Sequence, residues 1–357
     1  MKVSSPGRIC LFGEHQDYLG LPVVAAAIDI RARFEAVENG ESVFRINLPD
    51  IDSELSFDPR SQLNYSSNRD YLLSGVNILI REGYKFEKGR DIVFKSDIPI
   101  GKGCSSSSAM LVAWIGLLCR IATEGPALAP SDCARLAHRA EVLEFGEPGG
   151  MMDHYASAIG GLLLVETSGE ARALQLDTSL EGLFVLGDSL QPKDTTGVLG
   201  AAKNNALLAM DLIRKSIPTT EWNIISAKVA AEALHNAPME AVNSALGNID
   251  NRNIAEQAIK MLRSDYVAPN AIGALLTRQH RNLSRLIGVS TAKIDGMVDS
   301  AISAGAWGAK INGSGGGGCM FAYTNMECAD AVEQAISDAG GAPRRVCIDN
   351  GFREDAE

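Results

Sequence analysis

Four consecutive serines, at positions 105–108, follow Gly101 and Gly103 in the segment PIGKGCSSSSA, between a short strand-like run and a long apolar one. The glycines allow tight backbone turns. A helix opening at the serines would present free N–H groups and the positive end of its dipole, a ready anion site. The hydroxyls add donors and candidate Mg2+ ligands, although a serine-rich cap on a buried helix would read the same way. The Walker A signature occurs nowhere in the chain. A second polar set, Glu14, His15 and Asp17, lies in GEHQDYLG, bracketed by Gly13 and Gly20. Two carboxylates and an imidazole on one short loop can converge on a polyol, since they accept from and donate to several hydroxyls. A solvated turn is the alternative. A third feature is Asp153 in GGMMDHY, an acid among apolar residues that would be costly to bury without a partner.

Residues 313–318 read GSGGGG, which formally satisfies GxGxxG. A dinucleotide loop must open a helix, whereas CMFAY follows here and reads as a strand. Strand, glycine loop and strand make a hairpin whose tip lets something approach the backbone.

These groups need elements to position them. Alternation predicts strands over 31–38 and 43–48, and helical spacing of Leu72, Val76, Leu79 and Ile80 predicts a helix over 69–82. A strand over 91–95 feeds the serine loop, and a nearly all-apolar helix over 109–122 leaves it, to be buried on most sides. Ser131 is expected to cap a helix running to Phe145, and the glycine pair at 149–150 breaks the chain before a helix over 151–159. Short strands follow from 162 to 190. Helices are then expected over 197–215, 221–235, 251–262 and 270–286, and the last five residues read as a frayed tail. A length of 357 residues predicts two lobes, residues 1–190 and 191–357.

Composition narrows the class. With 46% hydrophobic and 22% charged residues the chain reads as an ordinary soluble protein. No apolar run is long enough to span a bilayer, and no secretion signal is evident at the start. Seven scattered cysteines without a CxxC read as reduced thiols of a cytoplasmic protein, and no His lies at zinc-ligand spacing from them. The net charge of −11 argues against nucleic acid as a partner. An anionic ligand must therefore be held by a local device, backbone N–H groups or a metal.

The three glycine-containing loops, PGRICLFGEHQDYLG, PIGKGCSSSSA and KINGSGGGGC, resemble in kind and order the signatures of the GHMP kinases, from about Lys2 to Tyr323. The resemblance implies an α+β, two-lobed architecture, with a left-handed β-α-β unit in the N-terminal lobe and a ferredoxin-like C-terminal lobe. It implies ATP and Mg2+ as cofactors, with phosphates held by Gly101, Gly103, Ser105, Ser106, Ser107 and Ser108 and by the loop of Gly315 and Gly316. It also implies Mg2+ ligation by Ser107 and Glu141, with Glu144 one turn later as rival. The EHQDY loop is similar to that of galactokinases, which implies sugar binding by Glu14, His15 and Asp17; mevalonate kinases carry apolar residues where Gln16, Asp17 and Tyr18 stand. Asp153 matches the catalytic aspartate of galactokinases and Arg8 the active-site arginine, although the two could instead form a structural ion pair.

The turn after Tyr18 is shorter than in galactokinases, closer to the mevalonate kinase form, and a Tyr-Asn and Arg-Arg stretch after residue 188 is missing. The expectation is a cytoplasmic kinase, monomer or homodimer, that phosphorylates a sugar hydroxyl, the anomeric one. A mevalonate-type alcohol kinase and a non-catalytic sugar sensor are the alternatives.

Overall fold

The computed structural model describes residues 1–147, 149–169, 171–192 and 195–356. The strand β1 (Lys2–Phe12) pairs antiparallel with the long β2 (Val23–Glu38), and β2 then serves two neighbours. Its first half pairs with β6 (Leu162–Glu166) and its second half with β5 (Arg90–Ser96). The sheet continues through β3 (Phe44–Leu48) and β4 (Ser53–Phe57), while β7 (Arg172–Gln175) extends it beyond β6. β3 and β5 run parallel, joined through β4 and α1 (Tyr71–Arg81).

Both faces of this sheet are covered, which is why residues 9–12 of β1 and 23–28 of β2 read as continuous apolar runs. Cys10, Val23 and Ala25 point into one core with α1, α2 (Ser106–Ile121), α3 (Pro130–His138) and α4 (Met152–Ile159). Ile9, Leu11, Val24 and Ala26 point the other way, toward a second sheet and the helices at Met239–Leu262 and Pro269–Asn282. Trp114 of α2 is fully buried, and its indole N–H donates to the Leu72 carbonyl at 2.9 Å. Truncating it to Ala would cost about 3–5 kcal/mol.

The second sheet begins with β8 (Leu183–Asp188), so the chain crosses from one sheet to the other between Gln175 and Leu183. A helical stretch follows: α5 (Thr195–Ser216), α6 (Ala227–Ala233), α7 (Met239–Leu262), α8 (Pro269–Asn282) and α9 (Ala292–Ser303). Then come β9 (Gly308–Asn312), β10 (Cys319–Thr324), α10 (Ala329–Asp338) and β11 (Ala342–Val346). The spatial order β11-β8-β10-β9 with all pairs antiparallel is the split β-α-β-β-α-β arrangement of a ferredoxin-like sheet.

Three local expectations are corrected. Ser131 is not a cap: α3 starts at Pro130, whose missing N–H costs nothing at the first helical position, with Ala129 before it. The helix α7 begins at Met239 rather than near 251, because its Asn- and Gly-containing first half is held by tertiary packing, with Gly247 set close against Leu286 and Ile287. The tail is not frayed over residues 353–356; Glu357 lies outside the described residues. β12 (Arg353–Glu354) pairs with β1 in the first sheet. The buried Arg31 fixes the return by donating to Asp349 Oδ2 at 2.6 Å and to the Asn350 and Gly351 carbonyls at 3.0 and 2.8 Å. Gly160, at φ 75°, allows the contact, since a Cβ there would sit 1.8 Å from the Gly351 nitrogen.

Candidate active site

A cleft of about 400 Å3 opens where β1, the turn after it, the start of α2 and the start of α4 meet. Its wall includes Arg8, Glu14, His15, Asp17, Gly101, Gly103, Ser105, Ser106, Ser107, Ser108, Glu141 and Asp153, so residues far apart in sequence converge there. Gly315 and Gly316 do not line it. The Gly316 N–H donates to the Val289 carbonyl at 2.9 Å, and a Cβ on Gly315 would meet the same oxygen at 2.2 Å. Ser314, between those glycines and β9, is the hairpin residue on the wall.

The glycine hairpin instead clamps the serine loop. A Cβ on Gly313 (φ 81°) would come within 2.8 Å of the Gly103 backbone, and one on Gly318 within 2.6 Å of the Lys102 carbonyl. Asn312 crosslinks the two: its Nδ2 donates to Gly103 O at 2.9 Å, and its Oδ1 accepts from the Cys10 N–H at 2.9 Å. Only glycine backbones can lie this close, which accounts for five glycines in six residues.

Ser105 and His15 are non-glycine residues held at positive φ, 61° and 63°, and both lie on the cleft wall. Such conformations cost of order 1–3 kcal/mol and persist where the surroundings over-determine them. The hydroxyls of Ser105 and Ser314 are buried without a hydrogen-bond partner among the described residues. Two such orphaned groups beside the open N-terminus of α2 fit an anion that accepts from them.

Arg8 and Asp153 form a bidentate pair, Nε to Oδ1 at 2.8 Å and Nη2 to Oδ2 at 3.1 Å, while Nη1 donates to the Gly103 carbonyl. Burial alone would lower the arginine's pKa, but the surrounding groups together, Asp153 first and then Glu14, outweigh it and the guanidinium is held charged. Arg8 is buried, whereas the Asp153 side chain keeps 27% of its surface exposed to the cleft.

The EHQDY loop is held differently from what its composition suggests. Glu14 accepts from Lys310 Nζ at 2.9 Å, a fully buried ion pair whose lysine also donates to the Cys10 carbonyl at 2.8 Å. The ring nitrogens of His15 are engaged within the protein, Nδ1 with the Tyr18 hydroxyl at 3.2 Å and Nε2 with the Ser314 carbonyl at 3.1 Å. Asp17, at the start of a single 3-10 turn over Asp17–Leu19, has no such ion pair among the described residues and packs against Gly150. Its pKa is pushed up to about 6 by burial, then by the neighbouring Asp153.

Glu141 sits on a π-helical turn, Arg139–Leu143, that continues α3; such turns re-aim side chains and recur at functional sites. Its Oε2 accepts from Ser108 at 2.8 Å and meets His154 Nε2 at 2.7 Å. Burial opposes its ionisation, but His154 and the hydroxyls of Ser107 and Ser108 hold its pKa below the usual range. Glu144 faces away, bound by Arg81 at 2.7 and 2.8 Å and by Tyr65 at 2.7 Å. The donor set of Ser107 and Glu141 fits Mg2+, which takes few protein ligands and completes its shell with phosphate oxygens and water. His154 and Lys310 carried no signal of their own in the sequence, and Asn312 and Ser314 only their position beside the glycine run; Ser108, expected from the sequence as a phosphate ligand, donates here to Glu141.

Comparisons with known proteins place the chain among relatives. The profile of the GHMP kinases N terminal domain matches residues 70–161, that of the GHMP kinases C terminal region matches residues 267–342, and the galactokinase galactose-binding signature matches residues 1–36. Mevalonate kinase of Pyrococcus furiosus is 32% identical over 96% of this chain and 95% of that enzyme. Galactokinase of Streptomyces coelicolor is 29% identical over 95% of this chain and 88% of that enzyme. The structure of Lactococcus lactis galactokinase complexed with galactose superimposes with a TM-score of 0.84, covering 99% of this chain and 94% of that one at 20% identity. Among the described residues no helix is long and apolar enough to cross a membrane. With both domain profiles matched, in order, and a relative above 30% identity spanning nearly its whole length, the chain belongs to the GHMP kinases.

Proposed function

We propose that this kinase transfers the γ-phosphoryl group of ATP to a hydroxyl of a sugar, the anomeric one. The observation that carries the reading is Asp17, a carboxyl without an ion-pair partner among the described residues, facing the same cleft as the Arg8–Asp153 pair. Bound Mg·ATP would supply the phosphoryl group and the charge of the metal. Ser105, Ser106 and Ser107 with the α2 N-terminus would hold its phosphates, and Ser107 and Glu141 its metal.

The chain's own residues then do two things. Asp17, and the oxygen of Glu14 not bound to Lys310, accept from sugar hydroxyls and fix the ring. Asp153 takes the proton of the attacking hydroxyl, an assistance worth typically ~10²–10⁴-fold. Arg8 orients Asp153 through two hydrogen bonds and brings positive charge to the transferring group.

Replacing Asp153 by Asn tests the assignment. The amide keeps the side chain's size but cannot take a proton at neutral pH. The expected result is a kcat lower by ~10²-fold or more, with Mg·ATP affinity and unfolding midpoint little changed. A kcat near wild type would reduce Asp153 to a structural partner of Arg8. A mevalonate-type alcohol kinase is the second reading, favoured by the tight turn at Gly20 (φ 74°) and by the Pyrococcus relative.

A further inference from the structure

Beyond Asp17 the cleft continues into a second cavity of about 280 Å3. The two share Asp17, Tyr18, Gly149, Gly150 and Leu199, but no serine of the phosphate loop lines the second one. It is therefore the end of the acceptor site remote from phosphoryl transfer.

The charges along this path are uneven. Arg8 is paired with Asp153, Lys310 with Glu14, and Arg69 with Glu147 at 3.5 Å. Lys203 of α5, on the wall of the second cavity, has no carboxylate partner among the described residues. Its ammonium stands over the Tyr18 ring, 5.6 Å from the centroid, a contact that holds a cation in place without neutralising it. The only imidazole on that wall, His138, is kept neutral by burial and by His154 beside it, with a pKa near 4. Thr167 adds to the polar lining: its hydroxyl donates to the Leu21 carbonyl at 2.8 Å and retains its capacity to accept. Asp17, the one carboxyl on that wall among the described residues, is engaged by sugar hydroxyls in the reading above, so a neutral sugar would bring no anion to Lys203.

We infer that the acceptor carries a carboxylate at the end opposite the phosphorylated hydroxyl, that Lys203 binds it, and that the substrate class is therefore a sugar acid. The inference rests on the sugar-kinase reading above and narrows it. A single ammonium matches a single negative charge. A phosphate monoester, carrying nearly two charges close to Asp17, would be under-compensated. A carboxylate also joins two otherwise separate facts, the sugar-type EHQDY loop and the 32% identity to an enzyme named for a hydroxy acid.

The test is ADP release on matched pairs, galactose with galacturonate and glucose with glucuronate, with the 6-phosphates and mevalonate as further arms. It uses wild type, Lys203→Met and Lys203→Glu. Wild type should prefer one uronate over its neutral partner. Lys203→Met should raise KM for that uronate by about 10- to 100-fold with a much smaller change in kcat, the effect of losing a charged hydrogen-bond partner. Lys203→Glu should erase or invert the preference. A wild type that prefers a neutral sugar or a 6-phosphate, or a Lys203→Met variant that loses both members of a pair equally, overturns the inference and leaves the sugar-kinase reading standing. Turnover of mevalonate with no sugar or sugar acid removes both.

Discussion

Asp17 combines a cost to the fold with a use in the site, so replacing it by Asn should separate the two. In the folded protein its pKa is raised from 3.8 to about 6, by burial first and by Asp153 second, against the opposing pull of the Tyr18 N–H and of Arg8. For an acid raised in the folded state the sign is a penalty. Below about pH 4 both states hold the proton and nothing is lost; the penalty grows as pH rises and is complete above about pH 6. Two units correspond to at most about 3 kcal/mol, and the half-buried position at the cleft reduces that to roughly 1–2. Asp17→Asn should therefore be more stable than wild type at pH 7.5, by denaturant unfolding, and the gain should vanish near pH 4. The same variant should bind its sugar worse, with KM up by about tenfold or more, because the amide replaces an ionic acceptor. Wild-type kcat/KM should fall as pH drops through about 6, and the variant should lose the part of that limb due to Asp17. A variant no more stable than wild type at pH 7.5, with an unchanged KM, would refute both the burial argument and the binding role.

Two further substitutions test the supports of the site. Lys310→Met strands the Glu14 carboxylate in a fully buried position and should cost about 3–5 kcal/mol in urea unfolding, most of it recovered in the Lys310→Met/Glu14→Gln double variant; equal losses in single and double variants would deny the pair. Asp349→Ala removes the acid that anchors the buried Arg31 and should cost about 3 kcal/mol, with faster hydrogen exchange in the paired residues of β1 and β12. A loss under 0.5 kcal/mol would show that the backbone carbonyls of Asn350 and Gly351 suffice for Arg31.

The architecture and the cleft were legible in the sequence to different depths. Loop chemistry was the most readable: the serine run, the EHQDY turn and Asp153 do meet at one cleft, since each depends on short-range residue types. The glycine run was readable as a hairpin, but its partner was not. That Gly313 and Gly318 press against Gly103 and Lys102 depends on contacts some two hundred residues apart in sequence, and that Gly315 and Gly316 turn to Val289 is no more visible locally. Pairing was likewise hidden. Nothing local marks Lys310 as the counterion of Glu14, or Ser108 and His154 as the groups that hold Glu141 ionised. The polar first half of α7 and the charged tail failed by local propensity because tertiary packing overrides it, around Gly247 in one case and Arg31 in the other.

The central claim, phosphoryl transfer from ATP to a sugar-type acceptor, is tested most directly by ADP release with product identification by phosphorus NMR. The panel is neutral sugars, sugar acids, amino sugars and mevalonate, each with wild type and Asp153→Asn. The account predicts a sugar-1-phosphate resonance from one sugar or sugar acid, reduced ~10²-fold or more in the variant. A phosphomevalonate resonance alone, or no phosphorylated product from any acceptor, would contradict it.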